Sequence, residues 1–193
     1  MNNMNNLMQQ ALGDDWHKLP PVLQAHHAGC VVDQGEMDIE YPRWMQPLLL
    51  LLRLIGALID RPGKAVATRV EKRLVDGRQT WHRTMIYADG QRKYFNSVWL
   101  AAGERQIVEY VNPWLGLQIR PYVVGDRLYS DGVCFVLRVW RWQLRIPENC
   151  LLGHTTIVET AIDEHRFAMD FRLTHPWFGQ VFRYAGKFAS MPA

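Results

Sequence analysis

The chain has 193 residues, of which 48% are hydrophobic, so it can build one domain with a sizeable core and is not a disordered chain. Its 22 Lys and Arg residues against 19 Asp and Glu give a net charge of +3, too small a basic excess to indicate a nucleic-acid-binding protein. Three widely separated cysteines without a C-x-x-C motif favour reduced thiols and a cytoplasmic location. The Asn-rich start does not resemble a signal peptide, and we expect residues 1–15 to be frayed, or the first ten of them to extend the first helix.

Two helical segments are predicted before the strands. Residues 16–29 suit a helix because Pro20 and Pro21 fit a first helical turn and Gly29 is a natural stop. Residues 30–37 suit a short strand or an extended connection. Residues 48–59 form a Leu-rich helix of about 18 Å, too short to cross a hydrocarbon core of about 30 Å. A helix that is apolar on every side is typical of one that the protein surrounds, and a helix at a membrane surface or dimer interface is the alternative.

From residue 64 onward the hydrophobic period changes to two, which predicts nine or ten short antiparallel strands. Three Asp-Gly pairs favour hairpin turns between them: Asp76-Gly77, Asp89-Gly90 and Asp131-Gly132. A meander of that length tends to curl or close, because curling reduces exposed edges. We therefore predict a single α+β domain, helical over residues 16–63. Residues 64–193 would form a strongly curled antiparallel sheet, a partial or closed barrel, around the buried apolar helix.

Short motifs recur in a recognisable order along nearly the whole chain. They are Trp16 with residues 19–23 and His26, the apolar helix, residues 81–83, Glu109, residues 145–147, Glu159, residues 176–179 and residues 184–188. This order resembles the bacterial domain of unknown function numbered 4166. The resemblance implies a metabolic context, because that domain also occurs attached to dehydrogenase-like partners. The family has no settled activity, so the resemblance implies no catalytic residue.

Several common chemistries have no motif in this sequence. The adjacent His26 and His27 point about 100° apart on a helix and do not easily share an ion, and no Cys/His pair has zinc-ligand spacing. The sequence has no G-x-S-x-G nucleophile motif and no glycine-rich phosphate loop. We therefore expect no metal and no cofactor.

Polar and charged side chains within the strands are the candidates for a binding site. If their strand faces point inward, arginines and carboxylates would line a cavity as pairs. The alternative is a solvated strand face with weak cross-strand ion pairs. The candidate ligand-binding residues are Trp81, Arg83, Glu109, Arg141, Glu159 and Tyr184. The candidate proton-transfer residues are Glu109, Glu159, Asp170 and His82.

Three functions agree with this pattern. The leading hypothesis is a protein that binds a small apolar or amphipathic molecule between the sheet and the helix. The second is a general acid–base enzyme, such as an isomerase, cyclase or lyase, acting on a hydrophobic metabolite in the same pocket. The third is a domain that docks on a metabolic enzyme. Trp114 and Trp177 lie in similar Pro-Trp-x-Gly turns, which either plug the sheet or form an aromatic rim for an amphipathic ligand or a membrane surface.

Overall fold

The computed structural model describes residues 6–192, with three short α-helices placed around a large sheet. The α-helices are α1 (Leu7–Leu12), α2 (Pro21–His26) and α3 (Gln46–Leu54). Short 3₁₀ turns cover Gly13–Lys18, Arg43–Met45 and Glu148–Cys150. The strands are β1 (Val31–Glu40), β2 (Gly63–Val75), β3 (Arg78–Ile86), β4 (Arg92–Ala101), β5 (Ile107–Tyr110), β6 (Leu115–Val124), β7 (Arg127–Val139), β8 (Trp142–Ile146), β9 (His154–Ala161), β10 (Arg166–His175) and β11 (Gly179–Pro192).

Within residues 6–192, ten strands close into an antiparallel barrel in the order β6-β5-β4-β3-β2-β1-β11-β10-β9-β7, and the pairing of β6 with β7 completes the ring. The remaining strand, β8, extends the sheet as a hairpin with the end of β7. Closure removes the free edges that an open meander would expose. The prediction of a curled antiparallel barrel with a few helices is thus confirmed. The stretch 16–63 is helical only in part. The residues 30–37, expected to form a short strand or an extended connection, lie largely in β1, which pairs with both β2 and β11.

The strand directions give the barrel two distinct ends. At the end where β1 begins, α1 contacts β4, β5 and β6, and α2 contacts β1, β9, β10 and β11. We call this the closed end. At the opposite end, α3 follows β1 across the barrel, beside the β5–β6 turn and the loop before β9. We call this the open end. The interior between them is lined by alternate strand residues, many of them aromatic, such as Phe167, Phe171 and Phe182.

Two of the three Asp-Gly pairs lie in turns between strands, and the third lies inside a strand. Asp76-Gly77 forms the two-residue β2–β3 turn with positive φ at both residues, as predicted. Gly90 also has positive φ and lies in the β3–β4 turn. The prediction of a turn at Asp131-Gly132 is wrong, because both residues lie inside β7, next to a bulge in its pairing with β6. A Cβ on Gly132 would lie 1.8 Å from Glu148 Oε1, so this glycine makes room for a buried carboxylate.

The prediction of a buried apolar helix is not confirmed. In α3 only Leu49 is buried, and Leu50, Leu51 and Leu54 are exposed. An α-helix with its side chains is about 10 Å wide, and the aromatic side chains of the strands already occupy the interior. The helix therefore lies across the open end. It is also shorter than predicted, because the chain leaves the helix after Leu54 and Gly56 has a positive φ.

The described part of the N-terminal segment is helical and not frayed. Residues 1–5 of the stretch expected to be frayed lie outside the described residues. From Asn6 the chain is ordered into α1, whose N-cap is the Asn6 side chain, 2.7 Å from the backbone N–H of Gln9. Leu7, Met8 and Leu12 are buried in the main core. Burial of these apolar side chains against β4–β6 holds the segment at the closed end.

Because α3 lies at the surface, we expect only its buried residue to contribute strongly to stability. Leu49→Ala removes a fully buried side chain (0% exposed), so we expect the free energy of unfolding to fall by about 2–5 kcal/mol. Leu54→Ala, the same change five residues later at an 81% exposed position, should cost less than about 0.5 kcal/mol. Urea unfolding of the two variants measures this difference. Equal losses would contradict the surface position of the helix.

Candidate functional site

The last turn of α2 directs two adjacent histidines into the closed end of the barrel. Pro21 occupies the first helical turn and His27 is the C-cap, so the helix has a defined start and stop. Both histidines are buried, and their ring centroids lie 4.5 Å apart at an interplanar angle of 77°. Adjacent histidines on a helix were expected to point apart. Here both rings lie close to the same carboxylate, that of Glu159 on β9.

These histidines belong to a buried group of charged residues, which we call the ion cluster: His26, His27, Asp33, Lys72 and Glu159. Lys72 Nζ lies 2.6 Å from Asp33 Oδ2, and His26 Nδ1 lies 2.9 Å from the same oxygen. Lys72 also donates to the backbone carbonyl of His26 and lies 4.2 Å from the centre of the Trp81 ring. Asp33 on β1 and Lys72 on β2 are thus tied to α2, and each buried charge has a partner of opposite sign.

Glu159 links the two histidines on the other side of the cluster. Its Oε2 lies 2.8 Å from His27 Nε2, and its Oε1 lies 3.7 Å from His26 Nε2. Among the described residues, His27 Nδ1 has no hydrogen-bond partner. With His26 protonated and His27 neutral, two positive and two negative charges balance inside the cluster.

Burial and pairing shift the ionisation of the whole cluster. Burial lowers the pKa of His27 to about 4 and outweighs the opposite effect of Glu159, so this imidazole is neutral. Burial also lowers the pKa of Lys72 to about 8, although Asp33 favours its charged form. Burial opposes ionisation of Glu159, but the two imidazoles outweigh it and hold its pKa well below the usual range. The pKa of His26 is raised, because Asp33 and Glu159 outweigh burial and Lys72.

The ligand atoms of His26, His27 and Glu159 lie within 4.8 Å of one another, close enough to be tested as a metal site. The donor set does not fit a cation. Lys72 Nζ lies 2.8 Å from His26 Nδ1 and carries its own positive charge, and Glu159 already faces both imidazoles. The cluster is better described as an ion-pair network than as a metal centre.

A second polar group lies nearer the middle of the barrel. Arg83 on β3 donates to Glu109 Oε1 on β5 at 2.9 Å and to Ser97 Oγ on β4 at 2.9 Å. Ser97 in turn donates to Glu109 Oε1 at 2.6 Å. The guanidinium also faces the rings of Trp81 and Phe95, 4.9 Å and 5.1 Å from their centres. These contacts fix the arginine in the interior and satisfy its charge.

Two adjoining cavities run from these polar groups towards the open end. The inner chamber, about 40 Å³, is lined by members of the ion cluster, Trp81, Arg83 and Trp99. The outer chamber, about 190 Å³, is lined mainly by leucines and aromatic residues from α3, the loop after it and several strands. Phe95, Glu109 and Tyr184 line both chambers and so mark their boundary. The interior therefore changes from polar to apolar along the barrel axis.

Two side chains that line the inner chamber, Trp81 and Trp99, each have an unused hydrogen-bond donor. The indole rings of Trp81 and Trp99 stack with their centroids 4.5 Å apart, and both side chains are buried. Neither Nε1 atom has a hydrogen-bond partner within the described part of the chain. A buried unpaired donor costs about 1–3 kcal/mol, so the chamber is suited to a guest that offers an acceptor.

The structure brings five of the six predicted ligand-binding residues together. Trp81, Arg83, Glu109, Glu159 and Tyr184 all line the inner chamber. Arg141 lies elsewhere, exposed at the β7–β8 turn over the ring of Trp140. Of the other candidate proton-transfer residues, His82 is exposed on the outside of β3, and Asp170 pairs with Arg172 and Arg183 on the outer face of the barrel.

Sequence reasoning missed several residues of this site, among them Lys72, Asp33, His26 and Trp99. Lys72 occupied the same strand face as Val66, Thr68 and Val70, and Asp33 alternates with Val31 and Met37, so both were polar residues on apolar faces. That pattern is a usable signal of a buried ion pair. His26 and Trp99 carry no such signal, because only the closure of the barrel brings them to the cavity.

The neutral, buried state of His27 has a consequence for stability. The unfolded chain binds a proton at its ordinary pKa of 6.5, whereas folded His27 binds one only near pH 4, so stability is lost as the pH falls between these values. We expect wild type to lose about 2 kcal/mol more than His27→Gln between pH 7 and pH 5 in urea unfolding. His17→Gln, at an exposed histidine, should behave like wild type. Parallel pH profiles for wild type and His27→Gln would contradict the buried neutral state.

Comparisons with known proteins agree with the motif order. The family model described as Domain of unknown function (DUF4166) matches residues 19–188, a range that contains both polar groups and both chambers. No curated protein matches the chain, and no solved structure matches it. Because the match covers nearly the whole sequence, the chain belongs to the DUF4166 family, as its motifs predicted.

Proposed function

We propose that this protein binds a small amphipathic molecule inside the barrel, with its polar head in the inner chamber and its apolar body in the outer one. The observation that carries the proposal is that Trp81 and Trp99, two side chains that line a chamber adjoining an apolar cavity, each have a buried indole N–H without a partner among the described residues. Ligand pockets typically combine an apolar lining with a few convergent polar groups, which is the arrangement here.

The charges around the inner chamber favour a neutral head group. Arg83 is neutralised by Glu109, and the cations of the ion cluster are balanced by Asp33 and Glu159. A carboxylate added to this chamber would be a buried charge without a counter-ion, which costs several kcal/mol. A carbonyl or ether oxygen satisfies the indole donors without that cost.

The outer chamber limits the apolar part. A water molecule takes about 30 Å³ of liquid, and a methylene group takes a similar volume. The outer chamber of about 190 Å³ therefore holds an unbranched chain of about six carbon atoms or one small ring. Leu48, Leu52 and Leu58 bound it on the side of the open end, where α3 and the loop after it form its cover.

General acid–base catalysis in the same chamber is the second candidate. It is favoured by the perturbed ionisation of His26 and Glu159, which line the chamber, because such shifts concentrate at catalytic sites. Glu159→Gln should then abolish turnover of a confirmed substrate while the protein stays folded. Undiminished turnover in that variant would remove this role.

Binding of octan-2-one is the test of the proposal. Its carbonyl matches the indole donors and its alkyl chain matches the outer chamber, so we expect saturable binding by titration calorimetry. Octane lacks the acceptor and octanoate brings an unbalanced charge, so both should bind more weakly. Trp81→Phe keeps an aromatic side chain but replaces the indole by a smaller phenyl ring without the donor, and it should weaken binding of octan-2-one about fivefold.

Two further variants control this experiment. Trp16→Phe makes the same chemical change at a tryptophan that is buried in the core without lining either chamber, and it should leave affinity unchanged. Ala57→Leu places extra carbon atoms in the outer chamber and should abolish binding, whereas Ala88→Leu, at an exposed position, should not. Equal affinity in wild type and Ala57→Leu would place the guest outside the barrel and defeat the proposal.

A further inference from the structure

Five chain segments meet at the open end of the barrel: residues 43–58, 111–116, 137–147, 149–153 and 175–179. Asn112 donates to the carbonyl of Ile55 at 2.7 Å, which ties the β5–β6 turn to the end of α3. The backbone N–H of Arg138 donates to the carbonyl of Trp114 at 2.7 Å, and Trp44 contacts Phe178 with ring centroids 5.3 Å apart. Leu48, Leu115, Leu151 and Leu173 line one chamber. We call the exposed surface of these segments the rim.

The exposed tryptophans of the protein all lie on the rim. Trp16, Trp81 and Trp99 are buried in the core, whereas the other five of the eight lie on the rim and are exposed. Those five are Trp44, Trp114, Trp140, Trp142 and Trp177. Trp140, at the tip of the β7–β8 hairpin, is 91% exposed, which no packing role within this chain explains. Exposed apolar surface of this extent marks an interaction site.

The apolar helix adds aliphatic side chains to the same surface. Leu50, Leu51 and Leu54 of α3 are exposed next to Trp44. No helix in residues 6–192 is long and apolar enough to cross a membrane. A short helix that presents leucines beside tryptophans is suited to lie in the interface between water and a bilayer, with its apolar face among the acyl chains.

The exposed charge of the rim is mainly positive. Its five segments contain five arginines, namely Arg43, Arg53, Arg138, Arg141 and Arg145, and the acid between two of these segments, Glu148, is buried and pairs with His154. Elsewhere at the open end, Asp60 and Asp89 are paired with basic side chains. Arg53 pairs with Asp60, but Arg43, Arg141 and Arg145 are exposed and have no carboxylate partner among the described residues. The loops of the closed end carry charges of both signs, such as Asp76 and Glu104 beside Arg78 and Arg105.

We propose that the rim docks on the surface of a bilayer that contains anionic phospholipids. The tryptophans and leucines enter the interface, and the unpaired arginines contact lipid phosphates and carboxylates. Docking in this orientation places the cover of the outer chamber against the bilayer and leaves the ion cluster at the far end of the barrel. The proposal rests on exposed residues outside both chambers, so it does not depend on which molecule the barrel binds.

The test is sedimentation of the full chain with vesicles of phosphatidylcholine, with and without phosphatidylserine. We expect binding to vesicles that contain phosphatidylserine, weakened by salt, and a blue shift of tryptophan emission on binding. Each arginine near an anionic surface contributes about fivefold in affinity, so serine at Arg43, Arg141 and Arg145 together should weaken binding about a hundredfold. Leu50→Ser with Leu54→Ser should weaken binding to the same vesicles without lowering the free energy of unfolding.

The matched control replaces three exposed arginines at the closed end, Arg73, Arg78 and Arg127, by serine. It changes the net charge equally and should bind the vesicles nearly as well as wild type. Equal loss in the two triple variants would show that only overall charge matters and would overturn the proposal. Absence of binding to vesicles that contain phosphatidylserine would also overturn it, whether or not the rim captures a protein partner instead. Binding of octan-2-one should be unchanged in all these variants, which separates this outcome from that of the cavity.

Discussion

The interior of this barrel depends on the pairing of Asp33 with Lys72 and His26. A lysine and two carboxylates inside a closed sheet are tolerated only when each charge has a partner, because an unpaired buried ion costs several kcal/mol. The partners come from β1, β2, β9 and α2, so satisfying the charges fixes the last turn of α2 against three strands. The position of the helix and the polarity of the closed end follow from this requirement, and burial at the same place keeps His27 neutral.

The same arrangement gives the barrel a direction. Charges gather at the closed end, the pair Arg83–Glu109 lies at the middle, and the outer chamber is apolar. The exposed apolar side chains of α3 and of the tryptophan turns lie at the open end. The proposed guest, with one polar atom and a short apolar body, would match this gradient. The proposed docking of the rim on a bilayer would match it as well, because the apolar end of the cavity and the apolar end of the surface coincide.

Much of the fold could be predicted from local patterns, and the rest depended on contacts between distant residues. Period-two alternation and Asp76-Gly77 indicated a long antiparallel meander, which the barrel confirms. Asp131-Gly132 misled, because its glycine makes room for the Glu148 carboxylate instead of forming a turn. The apolar helix was expected inside, yet the volume is taken by aromatic side chains whose summed size no local pattern reveals. Candidate residues on strand faces were found, whereas His26 required knowledge of where α2 lies.

The central claim is that the interior holds an accessible apolar chamber beside a polar one with unused donors. A crystal structure of the protein under xenon pressure tests it most directly, because xenon enters dry apolar cavities. We expect xenon in the outer chamber, among Leu48, Leu58 and Phe135. We also expect an ordered water or other acceptor within hydrogen-bond distance of Trp81 Nε1 or Trp99 Nε1. Side chains filling the outer chamber, with no xenon bound between α3 and the strands, would contradict it.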